Sequence, residues 1–145
     1  MKSLSECEKA YLAGIIDGEA SLGVNVQANH NRDNRTVYRP RLIICNSNPE
    51  LIRYLEKTLG PTSTVIVRQR KPTHKISYQY EISSRKKLVS IRNNILPFLR
   101  LKKRQTELVL KWCESREKAV RGSYYNDTEL KIIQELYKLN RRGVV

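Results

Sequence analysis

The hydrophobic period changes inside one short stretch, "YLAGIIDGEASLGVNV", Tyr11 to Val26. Up to Asp17 the apolar residues recur at helical spacing. From Ser21, Leu22, Val24, Val26 and Ala28 alternate with Gly23, Asn25, Gln27 and Asn29. Periods of 3.6 and of 2 cannot share one element, so a helix must hand over to a strand here. Ser5 is placed to cap that helix, and Glu8, three residues on, would complete a capping box. The seam carries two acids, Asp17 and Glu19, around Gly18. They sit at the negative end of the helix dipole, disfavoured by roughly a few tenths of a kcal/mol, and they repel each other.

The same pattern then repeats. "NHNRDNR" is a polar turn, and "TVYRPRLIICN" reads as a second strand antiparallel to the first. Asn48-Pro49 opens a helix, "PELIRYLEKTLG", with Gly60 as its stop. "STVIVRQR" and "KISYQYEIS" are two more strands around the turn "KPTH". "SSRKKLVSIRNNIL" predicts a third helix ending before Pro97, and "LRLKKRQTELVLKWCESREKAV" a fourth. "DTELKIIQELYKLN" predicts a fifth, capped by Asp127 or Thr128. The fold class is α+β: an α-β-β-α-β-β-α order with a four-stranded antiparallel sheet and helices on one face. Tyr11, Ile15 and Leu22 are placed to serve the core, as are Trp112, Tyr78 and Tyr80.

The chain's 145 residues suit one domain with a core that needs no staples. Its 28 Lys+Arg against 14 Asp+Glu give a formal charge of +14. That excess points to a polyanionic partner, nucleic acid first, although a basic surface can serve solubility alone. Cys7, Cys45 and Cys113 cannot all pair within one chain and form no CxxC, so a disulfide framework or zinc knuckle is not expected. No apolar run is long enough for a membrane helix, and the N-terminus lacks a signal peptide's apolar core. The expectation is a soluble, intracellular, unsecreted protein.

The strand faces sharpen the partner. One side carries Asn25, Gln27 and Asn29, then Arg39 and Arg41, then Arg68 and Arg70, then Lys75, Ser77 and Gln79. These side-chain types can bond base edges, and a twisted two-stranded ribbon fits a major groove. A solvated polar face would carry more acid; only Glu81 supplies one here. On the first helix, Ala10, Ala13, Gly14 and Asp17 form a narrow face of small residues. Gly14 within a helix costs about 1 kcal/mol relative to alanine. Close approach of a second helix would offset it, from another copy or from this chain. A hard divalent cation would likewise relieve the paired acids, taking carboxylate and carbonyl oxygens plus water. An ordinary Asp-Gly turn with exposed acids is the alternative.

The stretch "LAGIIDGEA", Leu12 to Ala20, resembles the motif of the LAGLIDADG homing endonucleases in its "LAG", the isoleucine before the aspartate and the spaced acids. The element order and "LPFLRLKKRQTELVL" resemble that family's single-motif members. The resemblance covers roughly residues 4 to 115 of a single 1–145 domain, leaving a helical extension from about 116. It implies a homodimer whose motif helices pack at a two-fold axis through Ala13 and Gly14. It implies that Glu19, helped by the Gly18 carbonyl, holds Mg2+ or another divalent cation such as Mn2+ near a scissile phosphate. It implies that Asp17 caps the partner helix. Each subunit's sheet would form a saddle on the DNA major groove. The pair would cut across the minor groove and leave short 3′ overhangs. Lys102, or its neighbour Lys103, matches a basic residue near the family's active centre, with phosphate positioning as the alternative role. Ser47 and Asn48 would hold waters near the metal.

Two departures stand out: Glu19 where Asp is more common, and Ala20 where the motif ends in glycine. The expectation is thus a homodimeric, sequence-specific, metal-dependent double-stranded DNA endonuclease with a long pseudo-palindromic site. A non-cutting binder of the same fold, an intron RNA maturase or a DNA-binding regulator, ranks second because Glu19 is present. Intron RNA as a partner is possible but not indicated.

Overall fold

A computed structural model describes residues 3–27, 35–62, 66–69 and 71–141. Helix α1, Glu6–Glu19, begins at the expected capping box. Glu8 N donates to Ser5 Oγ at 3.2 Å, and Ser5 N donates to Glu8 Oε2 at 2.9 Å. The chain enters strand β1, Ala20–Gln27, without a loop. Ala20 is extended, φ −83° and ψ 147°, while its N–H still closes the last helical bond to Ile16. That conformation suits any residue, so the missing motif glycine costs nothing here.

Strand β2 is Val37–Asn46, β3 is Ile66–Arg68 and β4 is Ser77–Ile82. They form one four-stranded antiparallel sheet in the order β1-β2-β4-β3. β3 is shorter than the expected stretch, and residues 63–65 and 70 lie outside the described residues. The register pairs Gly23 with Arg41, Asn25 with Arg39, Ile43 with Glu81 and Cys45 with Gln79. All eight share one face, because side chains alternate along each strand. The other face buries Leu22, Val24, Leu42, Ile44, Tyr80 and Ile82. Helix α2, Pro49–Leu59, packs there with α1, and its Gly60 stop takes the left-handed φ of +93° that favours glycine.

The expected third helix is broken. It becomes α3, Arg85–Ser90, then α4, Arg92–Ile95, then a 3-10 turn, Leu96–Phe98, that contains Pro97. Ile91 sits at φ −89° and ψ −4°, outside regular helix, and the bend lets Leu88, Ile91 and Ile95 all reach the core. Helix α5, Lys103–Lys118, buries Trp112 as expected, and Cys113 beside it. Helix α6, Asp127–Leu139, is capped by Asn126 rather than Asp127 or Thr128. Glu129 N donates to Asn126 Oδ1 at 2.8 Å, and Asn126 N returns a bond to Glu129. α6 packs Ile132, Ile133 and Leu136 against α5 and β1, and Arg116 pairs with the buried Glu129 at 3.3 Å.

Tyr11 departs from expectation. It is 58% exposed and meets Tyr54 edge-on at 5.2 Å instead of entering the core. Ile15 and Leu22 are buried as foreseen. Among the described residues no helix is long and apolar enough to cross a membrane.

Candidate active site and nucleic-acid interface

The two ends of α1 and α5 hold each other. Asp17 Oδ2 accepts from Arg100 N at 2.8 Å; its Oδ1 accepts from Leu101 N at 3.1 Å and Lys102 N at 2.9 Å. Three successive N–H groups before a helix start converge on one carboxylate, an anion-binding arrangement favoured by the α5 dipole. In return Lys102 Nζ donates to Ile16 O at 3.2 Å and to Ala20 O. A cation thus meets carbonyls at the C-terminus of α1, where the dipole favours it. Burial lowers the Lys102 pKa, opposed by the nearby charges of Asp17 and Glu19. Within its own chain Asp17 therefore caps the turn at residues 100–102, and three accepted bonds leave one carboxylate acceptor position for the expected cap on a partner helix.

Glu19 differs from its neighbour. It is exposed and has no hydrogen-bond or ion-pair partner among the described residues. Gly18 is exposed beside it, and a Cβ there would meet nothing within 4 Å. One free carboxylate and an adjacent carbonyl are hard oxygen donors of the kind Mg2+ or Mn2+ takes, together with water and phosphate. The donor chemistry fits such an ion. Among the described residues no cluster of three or more His, Cys, Asp or Glu completes a cage. Substrate oxygens, water or a second copy would have to finish the set.

Around this corner runs a polar cleft of about 480 Å³, lined by Ser21, Asn25, Arg41, Lys102, Gln105 and Asn140 among others. It joins the clamp to the polar face of the sheet. Asn25 and Gln27 are half-buried on that face. Lys75 is exposed and Ser77 half-buried at the start of β4. Arg68 lies in β3, opposite Ser77 in the register. Asn29 and Arg70 fall outside the described residues. Arg39 and Arg41 do share a side, but neither is unattached. Arg39 Nη2 donates to Glu81 Oε1 at 2.7 Å, Arg41 Nε to Oε1 at 2.8 Å and Arg41 Nη2 to Oε2 at 3.0 Å. Gln79, foreseen as a base reader, is only 4% exposed and donates to Glu81 Oε2 at 3.2 Å. The Arg41 bonds hold the Glu81 carboxyl below the usual carboxylate range, and Glu81 in turn raises Arg41.

The small-residue face of α1 is split. Ala13 is fully buried by its own chain, so it cannot meet a partner as expected. Gly14 is exposed with open space where a side chain would stand. The outward stripe is Cys7, Ala10, Tyr11, Gly14 and Gly18, at spacings of three, one, three and four. Ser47 is an exposed bend. Asn48 is exposed and caps α2, its Oδ1 accepting from Glu50 N at 3.0 Å.

Two residues carried no expected role. Glu81 had a signal, the lone acid on a basic face. Asn140 had none. Its Nδ2 donates to Leu22 O at 2.7 Å on the β1 edge, and it lies 3.5 Å from the position of a Cβ on Gly23.

No protein-family model matches this chain, and no curated protein matches it significantly. Solved structures do. The archaeal intron-encoded homing endonuclease I-Vdi141I, complexed with DNA, superposes with a TM-score of 0.74 at 22% identity, over 96% of this chain and 87% of that one. The homing endonuclease I-TnaI gives 0.66 at 20%, over 98% and 92%. The LAGLIDADG homing endonuclease I-SmaMI, bound to cleaved DNA, gives 0.67 at 18%, over 99% of this chain but 46% of that one. With the helix-to-strand hand-over at Leu12–Ala20, the antiparallel sheet and the α1–α5 corner in place, this chain has the fold of the LAGLIDADG homing endonucleases.

Proposed function

We propose that the protein is a homodimeric, sequence-specific double-stranded DNA endonuclease. It hydrolyses phosphodiester bonds across the minor groove of a long pseudo-palindromic site and leaves short 3′ overhangs. The observation that carries this reading is the state of three charges at one corner. Asp17 is held by three backbone amides, Lys102 is docked on α1, and Glu19 stands exposed beside them.

Glu19 and the Gly18 carbonyl would hold Mg2+ or Mn2+. Such an ion supplies an activated water and stabilises charge on the departing oxygen. Lys102 has three N–H donors and spends two on carbonyls of α1. Its third is available to a phosphate oxygen in the adjoining cleft. Lys103, the first residue of α5, is exposed and suits a backbone contact further out. Asp17 keeps the corner rigid, because moving α1 relative to α5 would break three bonds at once.

Dimerisation is supported by the outward stripe around Gly14, which has room for a facing helix. A two-fold pair reads two similar half-sites and brings two Glu19 carboxylates to one centre. Asn25, Gln27, Arg68 and Lys75 then lie on the face turned to the groove. The neighbours solved with DNA support the choice of partner.

The test is Glu19→Gln with plasmid carrying selected sites, in Mg2+ and then in EDTA. Cleavage should fall by about a thousandfold or more, the scale of losing a group that stabilises developing charge. Binding of uncut DNA should change only a few-fold. Undiminished cleavage by the variant, or by wild type in EDTA, would refute the reading. Wild-type binding without cleavage in either buffer would favour the non-cutting alternative.

A further inference from the structure

Glu81 occupies an odd position on a face turned to DNA. Its side chain is 3% exposed, beneath Arg39 at 35% and Arg41 at 30%. Oε1 accepts from Arg39 and Arg41, and Oε2 from Arg41 and Gln79. A carboxylate offers about four acceptor positions, so this one has none left for solvent or a ligand. Gln79 is held in turn near Cys45 Sγ, at 3.8 Å from its Oε1, across the β2–β4 register. The acid is thus braced from below and engaged only with the arginines above.

The bonds also select which edge of each arginine remains. Arg41 gives its Nε–Nη2 edge to Glu81, which leaves the Nη1–Nη2 end of the guanidinium for another partner. Arg39 gives one Nη2 bond, and its Nε is buried without a hydrogen-bond partner among the described residues. A guanidinium fork held in one plane suits bidentate contact with guanine O6 and N7, whereas an unrestrained arginine settles on any nearby phosphate. The carboxylate also cancels one positive charge on that face, which weakens sequence-independent attraction.

We propose that Glu81 is a positioning residue of the DNA-reading face. It fixes the forks of Arg39 and Arg41 for base edges and holds down their attraction to phosphates. This rests on the DNA-binding reading above and adds to it which side chain sets sequence discrimination. Removing a buried acid ordinarily only weakens a protein. Here it should tighten binding to arbitrary DNA while blurring preference.

The experiment uses a randomised duplex library, with sequencing of the bound fraction, and a single arbitrary duplex titrated across salt concentrations. In Glu81→Gln the arbitrary duplex should bind roughly five- to tenfold more tightly at 0.1 M salt. The slope of log affinity against log salt should steepen by about 0.9 per chain. The base preferences seen with wild type should flatten at a few positions in each half-site. Glu81→Asp keeps the charge but falls one methylene short, so preferences should flatten with the salt slope unchanged. If a folded Glu81→Gln keeps both wild-type slope and wild-type preferences, the proposal is overturned. Uniform loss of all DNA binding in the folded variant overturns it equally. Should Glu81→Gln not fold, Glu81→Asp decides alone, and unaltered preferences sink the idea. A wild type that enriches no sequence removes the underlying reading instead, which the same library shows before any variant is compared.

Discussion

Asp17 and Glu81 are both acids in a very basic protein, and both oxygens of each accept hydrogen bonds, but from different kinds of donor. Asp17 is held by three backbone N–H groups of one turn. Glu81 is held by the side chains of Arg39, Arg41 and Gln79. Backbone donors cannot swing away, so the first arrangement fixes two helix ends. Side-chain donors remain partly exposed, so the second presents cations while restraining them. Glu19, two residues from Asp17, has neither kind of partner among the described residues. The difference teaches that an acid's position in a motif does not set its role; the donors the fold brings to it do.

The largest effect should come from breaking the backbone-held acid. Asp17→Ala strands three N–H groups and should cost about 3 kcal/mol, given that hydrogen bonds to charged acceptors contribute roughly 1.5–3 kcal/mol each when not fully exposed. Urea denaturation would measure it. A loss below about 1 kcal/mol would mean that solvent satisfies the turn just as well.

The side-chain-held acid should show itself in the pH dependence of stability. The folded Glu81 pKa lies below its ordinary 4.5, chiefly through the Arg41 hydrogen bonds. Its contribution is therefore present above the unfolded pKa and is lost as pH falls through the folded value. Wild type should lose stability over that acid range relative to Glu81→Gln, by about 1 to 2 kcal/mol after allowing for the partial exposure of both arginines. Parallel acid-unfolding curves for the two proteins would count against the ion pair.

The smallest effect concerns the stripe on α1. Gly14→Ala should stabilise the isolated chain by up to about 1 kcal/mol, since nothing lies where the methyl would stand. Gly14→Arg should leave the fold intact yet shift sedimentation toward monomer if α1 meets a second copy there. A dimer unaffected by Gly14→Arg would place the interface elsewhere.

Much of the architecture was legible in the residues. The capping box at Ser5 and Glu8, the Asn48-Pro49 start, the Gly60 stop and the alternation in β1, β2 and β4 all rest on local chemistry. That chemistry acts within four residues, so spacing alone reveals it. The misses have the same explanation in reverse. The break at Ile91 serves packing of Leu88, Ile91 and Ile95 into a core shared with the distant helices α1 and α5. The cap of α6 fell one residue early because Asn126 competes with Asp127 and Thr128, and only the geometry of the turn chooses among them.

The candidate site divides along the same line. The sequence alone determined that two acids stand at a helix-to-strand seam, that a basic run follows "LPF", and that one sheet face is rich in Arg, Asn and Gln. These are facts of order and period. Only the tertiary structure decided that Asp17 is consumed by residues 100–102, that Ala13 is buried while Gly14 is open, and that Glu81 binds arginines some 40 residues away in the chain. Contacts so remote in sequence depend on sheet register and helix packing, and neither is encoded in any short window of residues.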